Sequence, residues 1–130
     1  MTAEELLRRY ASGERDFSGV DLSYISLRDF SMFKVNFSNA NLKGAKFTVA
    51  VMNYVNFSGA DLSETRLAGE FAGCSFKSAH LKGANLRGSD LTGADFTDAD
   101  LFFILCDSIY LENTIMPSGE LVVEGINYIN

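Results

Sequence analysis

A large apolar residue returns at every fifth position over most of this chain, and this period constrains the fold more than any other feature. The step is five from Phe17 to Leu67, four from Leu67 to Phe71, and five again to Met116. Of the 21 positions counted in this way, 20 are Leu, Phe or Met. A period of five matches neither the 3.6 residues of a helical turn nor the alternation of an ordinary strand.

A column of smaller residues lies two positions before the large one, as in Ala40, Ala60 and Ala79. Residues two apart point to the same side of an extended chain, so both columns can face inward. The other three residues of each five are often Asp or Asn, then Ser, Thr, Lys or Arg, then Gly, and these can face water and turn a corner. Such units predict a coil whose turns stack and share one core.

The repeated pattern Ala-Asp/Asn-Leu/Phe-Ser/Thr/Arg-Gly resembles the pentapeptide-repeat family, and its best example is AHLKGANLRGSDLTGADFTDADL. The resemblance covers residues 15–116 and implies an all-β, right-handed quadrilateral parallel β-helix, with one pentapeptide on each of four faces. The 21 repeats then make about five coils, roughly 24 Å long at a spacing of ~4.8 Å. We expect the step from Leu67 to Phe71 to tighten a corner or form a small bulge, with the later register preserved.

We expect one domain over residues 1–130, with both open ends of the stack covered. Residues 1–13 predict a helical cap, because Thr2 and Glu5 have the spacing of a capping box and Gly13 is a suitable stop. Residues 117–130 predict a C-terminal capping segment that folds back over apolar side chains in outward positions. The alternative is that these side chains form a dimer or partner surface; they are Phe102, Phe103, Leu105 and Tyr110.

The sequence offers no constellation of catalytic residues. The only histidine, His80, stands where the repeat usually has Asp or Asn, so we expect a solvated surface residue and serines without a base. Cys74 and Cys106 lie in the inward columns, which predicts buried free thiols. We therefore predict no enzymatic activity, no cofactor and no metal site.

Two groups of outward residues stand out when every fourth repeat is assigned to one face. Phe33, Val51 and Tyr54 break the polar rule together and form a candidate interaction patch for a protein, unless they only pack against neighbouring turns. A candidate basic stripe is either an anion or partner site or a plain solvated face; it consists of Arg28, Lys46, Arg66 and Arg87.

Composition narrows the function. A net charge of −6 argues against nonspecific binding to nucleic acid or anionic lipid. The sequence has no stretch of ~20 apolar residues, so we expect no membrane span. The N-terminus lacks the apolar stretch of a signal peptide, so we expect a cytoplasmic protein. We predict a rigid protein–protein interaction or regulatory module with an unknown protein partner, and a monomer rather than a homodimer. The abundance of the similar family in cyanobacteria makes such a source an expectation by resemblance.

The resemblance leaves one alternative function. Family members of the quinolone-resistance type resemble DNA in shape and charge and bind DNA gyrase, a topoisomerase. Residues 16–116 hold 12 acidic and 8 basic side chains, a net charge of −4. A duplex of ~24 Å carries about 14 negative charges, so the charge of this column disfavours such a mimic.

Overall fold

The computed structural model describes residues 1–128 and consists of one helix followed by short strands wound into a solenoid. The helix is α1 (Ala3–Ala11). The strands are β1 (Ser26–Ser31), β2 (Lys46–Val51), β3 (Arg66–Glu70), β4 (Ser89–Asp90), β5 (Ile109–Leu111), β6 (Thr114–Ile115), β7 (Leu121–Val122) and β8 (Ile126–Tyr128).

Strands β1 to β5 form a parallel ladder in chain order, with one strand from each level of the coil. Leu27 is the partner of Phe47, so the chain returns to the same place after 20 residues. Single bridges such as Asp16 with Asn36 and Asp21 with Asn41 repeat this spacing on other faces. The chain therefore forms the expected parallel β-helix, with five levels separated by four complete turns.

We number the four faces after the large residues of the first level, which are Phe17, Leu22, Leu27 and Met32. The large residue is buried at every repeat from Phe17 to Phe96. On the first face these residues form a phenylalanine ladder whose ring centroids lie 5.7, 5.8, 5.2 and 4.7 Å apart from Phe17 to Phe96. Each aromatic pair adds roughly 0.5–1.5 kcal/mol beyond the apolar area that it buries.

At each corner of the coil, the residue two positions after the large one has a positive φ. Among residues 1–128, twelve residues other than glycine have a positive φ, including Tyr24, Tyr54 and Glu64. At many corners the N–H that follows donates to the carbonyl of the large residue, as Ala60 does to Phe57 over 3.0 Å. A positive φ at the third position of such a hydrogen-bonded turn is typical of a type II turn. Regular turns of this kind explain how the chain bends so often with only one proline.

The Asp or Asn before each large residue has a structural task that the sequence pattern did not reveal. Its side-chain oxygen accepts a hydrogen bond from the N–H two residues later, as Asn36 does from Ser38 over 2.9 Å and Asp61 from Ser63 over 3.0 Å. A short acceptor at this position satisfies a backbone donor within its own turn.

The four-residue step leaves one corner of the third level a residue short. Phe47 pairs with Leu67 and Ala50 with Gly69, so no residue lies opposite Val49 at this corner. Gly69 then pairs with Ser89, which shows that the register is kept beyond the tightened corner. Gly69 has a φ of +134°, and a Cβ there would lie 2.0 Å from the carbonyl oxygen of Ala50.

Helix α1 covers the first level. Thr2 Oγ1 accepts a hydrogen bond from the N–H of Glu5 over 3.1 Å, as the capping box predicts. Leu6 is fully buried, and the Arg9 guanidinium lies 5.3 Å from the ring centroid of Phe17. The predicted short capping helix is thereby confirmed.

The C-terminal segment doubles back, but over less of the last level than we expected. Strand β7 pairs antiparallel with β6, and β8 pairs antiparallel with β5 on the fourth face. Phe102 and Phe103 stay 69% and 78% exposed, and Leu105 is exposed too, because β8 adds to the fourth face only. Residues 129–130 of the proposed capping segment lie outside the described residues.

Replacing Gly69 by Ala should lower the free energy of unfolding by about 3 kcal/mol, because the new methyl group meets the Ala50 backbone and φ is strained. Urea unfolding followed by circular dichroism measures the loss. The matched control is Gly88→Ala, where φ is +78° but no atom lies within 4 Å, and about 1 kcal/mol is expected. Equal losses would contradict a steric requirement at Gly69.

Deleting residues 118–130 should lower the unfolding temperature and cause aggregation, because Ile109 and Leu111 lie on the β5 edge that β8 pairs with. Thermal unfolding and light scattering measure both effects. Val123→Ser is the control, since it alters an exposed side chain and keeps the segment. A folded monomer with an unchanged unfolding temperature would contradict a capping role.

Candidate interaction surface

The solenoid interior is filled by side chains, so a binding site has room only on the outer surface. A shallow, open depression of about 280 Å³ lies beside Ala99, Leu101, Phe102 and Pro117 on the last level. Within residues 1–128, no group of three or more His, Cys, Asp or Glu residues is placed to hold a metal ion. No helix in this part of the chain is long and apolar enough to cross a membrane.

The carboxylates of the Asp column are hydrogen-bond acceptors of the turns. The Ser23 hydroxyl, 2.7 Å from Asp21 Oδ1, and the Ser23 N–H lower the pKa of Asp21. Burial raises the pKa of Asp95, but hydrogen bonds from the Thr97 hydroxyl and N–H outweigh burial and lower it. A general acid near neutral pH needs the opposite shift.

The histidine and the cysteines are not arranged as a nucleophile with its base. His80 is exposed, and its backbone forms β-bridges with Asp61 and Asp100 of the adjoining levels. Cys74 is buried, its Sγ lies 2.9 Å from the Met52 carbonyl oxygen, and burial raises the pKa of its thiol to about 12. Cys106 is only half-buried, which corrects our expectation of two buried thiols, because the coil does not continue over this position.

The interaction patch comes together on the first two levels of the fourth face. Val51 is the β-partner of Ser31, and the Met32 N–H donates to the Val51 carbonyl over 2.8 Å, so the two levels are adjacent. Phe33 and Tyr54 are 43% and 64% exposed, while Val51 is half-buried. Three side chains at positions that the repeat would make polar thus lie on the same face of two adjacent levels.

Each aromatic residue of the patch has one contact with a neighbouring element. The Phe33 N–H donates to the hydroxyl of Tyr10, at the end of α1, over 3.0 Å. The Tyr54 ring lies against Gly73 of the next level, where a Cβ would be 2.6 Å from Tyr54 Cδ1 and Cε1. The Tyr54 ring therefore occupies space that a side chain at position 73 would need.

Val49 extends the patch and was not predicted from the sequence. It is 51% exposed and stands at the corner two residues before Val51, with a φ of +50° that β-branched residues rarely adopt. The level below lacks a corner residue because of the four-residue step. The available signal was a Val at a corner position where most other repeats have Gly or a polar residue. From here the interaction patch means Phe33, Val49, Val51 and Tyr54.

The basic stripe lies on the third face, and two of its residues already have hydrogen-bond or ion-pair partners within the protein. Lys46 of β2 is the direct partner of Arg66 of β3. Arg66 donates from Nη1 to the Arg87 carbonyl over 2.7 Å, and Arg87 forms an ion pair with Asp107. Arg28 lies at the start of the same ladder, in β1.

The end surface divides into two parts. The rings of Phe102 and Phe103 lie 6.1 Å apart, and Leu105 follows at 43% exposure. Tyr110 stands on a different face, half-buried beside β8, with its hydroxyl 3.1 Å from Glu112 Oε2. Three of the four candidate residues therefore form one exposed apolar area, and Tyr110 does not belong to it.

Comparison with known proteins gives a family match. The family model described as pentapeptide repeats matches in 8 copies over residues 16–48, 31–69 and 70–102. Among curated proteins, none is significantly similar to this chain.

Several solved structures are similar to it. A pentapeptide repeat protein from the thylakoid lumen of Arabidopsis thaliana is 28% identical, over 79% of this chain and 68% of that one, with a TM-score of 0.38. One from Nostoc PCC 7120 is 25% identical over 95% and 86%, with a TM-score of 0.44. QnrB1, a plasmid-mediated fluoroquinolone resistance protein, is 22% identical over 93% and 65%, with a TM-score of 0.41.

Thiol reagents should distinguish the two cysteines. With a pKa of about 12, Cys74 holds almost no thiolate at pH 8, and burial blocks access, so the native protein should lose at most the Cys106 thiol to Ellman's reagent. A Cys106→Ser variant should then react only after unfolding in guanidinium chloride. Rapid labelling of that variant in the native state would contradict the burial of Cys74.

Proposed function

The chain belongs to the pentapeptide-repeat family, and from this premise we propose that it is a non-enzymatic, rigid module that binds another protein. The observation that carries the proposal is the interaction patch, where four apolar residues stand in outward positions. The Phe33 backbone N–H donates to the Tyr10 hydroxyl, and the Tyr54 ring lies against Gly73. Exposed apolar clusters of this kind are typical of protein interfaces.

Rigidity supports this role. Each level is hydrogen-bonded to the next, and the core beneath the patch contains the fully buried Met32 and Met52. A surface whose backbone is already ordered loses little conformational freedom when a partner binds, and this raises the affinity that a small area can reach.

The shape of the surface and the pKa values of the acidic groups support the non-enzymatic part of the proposal. The depression beside Leu101 is shallow and open, whereas substrate pockets are concave and bury most of their ligand. The carboxylates whose pKa is shifted serve the turns or ion pairs, and the pKa of Cys74 lies far above neutrality.

We also propose a monomeric, cytoplasmic protein. Two unpaired cysteines suit a reducing compartment. The apolar area of the last level is confined to Phe102, Phe103 and Leu105, because β8 already occupies the fourth face.

The alternative function is a DNA mimic that binds DNA gyrase. The charges on the third face disfavour this alternative. The outward positions of this face hold the four basic residues of the stripe and only two acidic residues, Asp29 and Asp107. Duplex DNA is negative all round. A column with one positive face supports the interaction module over the mimic.

Replacing Phe33, Val51 and Tyr54 together by Ser should abolish partner capture in a pull-down from host lysate, because the variant removes most of the apolar area and keeps the inward columns. Mass spectrometry identifies the proteins captured by the unaltered chain and by the variant. Circular dichroism checks that the variant is folded.

The control is the replacement of Phe102, Phe103 and Leu105 by Ser, which removes three exposed apolar side chains from the last level. Loss of the partner with the control alone would assign binding to the end surface and reject the patch. Inhibition of gyrase supercoiling by the unaltered chain would instead favour the mimic; we expect no inhibition.

A further inference from the structure

The fourth face changes from apolar to acidic along the axis of the solenoid. Below the patch, Val51 is the β-partner of Glu70, Glu70 of Asp90, and Asp90 of Tyr110. Glu112 follows Tyr110 on the last level and accepts a hydrogen bond from its hydroxyl. Three carboxylates thus continue the same surface on the three levels beyond the patch.

These carboxylates have no cationic partner among residues 1–128, where the ion pairs join Arg9 to Glu5 and Glu14, Lys77 to Asp95, and Arg87 to Asp107. The only basic residue in the outward positions of this face over residues 16–116 is Lys34, on the first level. The hydrogen bond to Glu112, burial, and the charges of Glu112 and Asp90 raise the pKa of Tyr110, as a locally negative surface would.

Small residues stand beside the carboxylates of the third and fourth levels. Ala72, Gly73, Thr92 and Gly93 occupy the outward positions next to Glu70 and Asp90. The Tyr54 ring of the patch lies against Gly73, so the patch adjoins the level of Glu70. From the level of Phe33 to that of Glu112 there are four steps of ~4.8 Å, or about 19 Å, which an extended segment of about six residues would span.

We propose that the interaction patch and Glu70, Asp90 and Glu112 form one continuous binding face for a basic polypeptide segment that carries aliphatic or aromatic side chains. Its apolar side chains contact the patch, and its Lys or Arg residues lie along the carboxylates. Charge complementarity selects this partner, since an acidic segment meets unpaired carboxylates and an uncharged one leaves them unpaired. The inference rests on the proposed function and adds the chemistry of the partner.

The experiment selects peptides from a random 12-residue phage-display library on the full chain and measures binding of the enriched peptides by fluorescence anisotropy. Enriched sequences should combine Lys or Arg with Leu, Ile, Phe or Tyr, and binding should weaken as salt rises, because exposed ion pairs are screened. Acidic or uncharged enriched sequences, or no enrichment at all, would overturn the inference.

Three variants locate the bound peptide. Glu70→Gln, Asp90→Asn and Glu112→Gln together keep the side-chain shapes, including the Asp90 oxygen that accepts from Thr92, and should weaken binding about tenfold. Asp21→Asn, Asp61→Asn and Asp100→Asn remove the same charge from the second face and should leave binding unchanged. Phe33→Ser with Tyr54→Ser should also weaken binding at least tenfold.

The outcomes separate the inference from the proposed function. If the host partner is lost with the patch variant but kept by the fourth-face neutralisation, the interaction module stands and the basic segment is rejected. If the second-face control weakens peptide binding by the same factor, the effect comes from the net charge of the protein and the inference is overturned. If peptides bind the Phe102, Phe103 and Leu105 surface instead, the fourth face is not the site.

Discussion

Backbone hydrogen bonds between successive levels hold this molecule together, and the 20-residue turn that they impose decides the rest of the structure. The Phe37 N–H donates to the Asn56 carbonyl over 2.8 Å, and the Asn56 N–H donates to the Val35 carbonyl over 2.9 Å. Because neighbouring strands lie ~4.8 Å apart, side chains at equivalent positions stack at that spacing. The phenylalanine ladder, with centroids 4.7 to 5.8 Å apart, and the column of Glu70 and Asp90 on the fourth face have the same origin.

The same constraint divides the five positions of each repeat into those that the fold uses and those that it leaves open. The inward columns fill a narrow interior, the Asp or Asn satisfies a backbone donor, and the corner residue has a positive φ. Gly and Asn suit that corner, so a Val at position 49 is unfavourable for the fold. Side chains that the repeat does not need, above all Phe33 and Val49, therefore point to function more directly than any buried residue.

The sequence predicted what depends on local period and missed what depends on tertiary contacts. The columns, the capping box at Thr2 and the tightened corner before Phe71 all follow from spacing along the chain. The path of the last residues does not, because β8 has no repeat pattern and its position follows from the free edge of β5. Likewise, the basic stripe could be assigned to a face, but the Arg66 and Arg87 contacts depend on side-chain conformations that no period encodes.

The carboxylates in the acidic half of the fourth face do not all stabilise the fold. Asp90 serves the fold, since its Oδ1 accepts from the N–H and hydroxyl of Thr92 over 3.0 and 2.6 Å. Glu70 accepts no side-chain hydrogen bond and forms no ion pair within residues 1–128, yet it is the direct β-partner of Asp90. Like charges on adjoining levels repel modestly even when exposed. The basic segment that we propose would offset this repulsion, because its cations would lie beside Glu70 and Asp90 while its apolar side chains contact the patch.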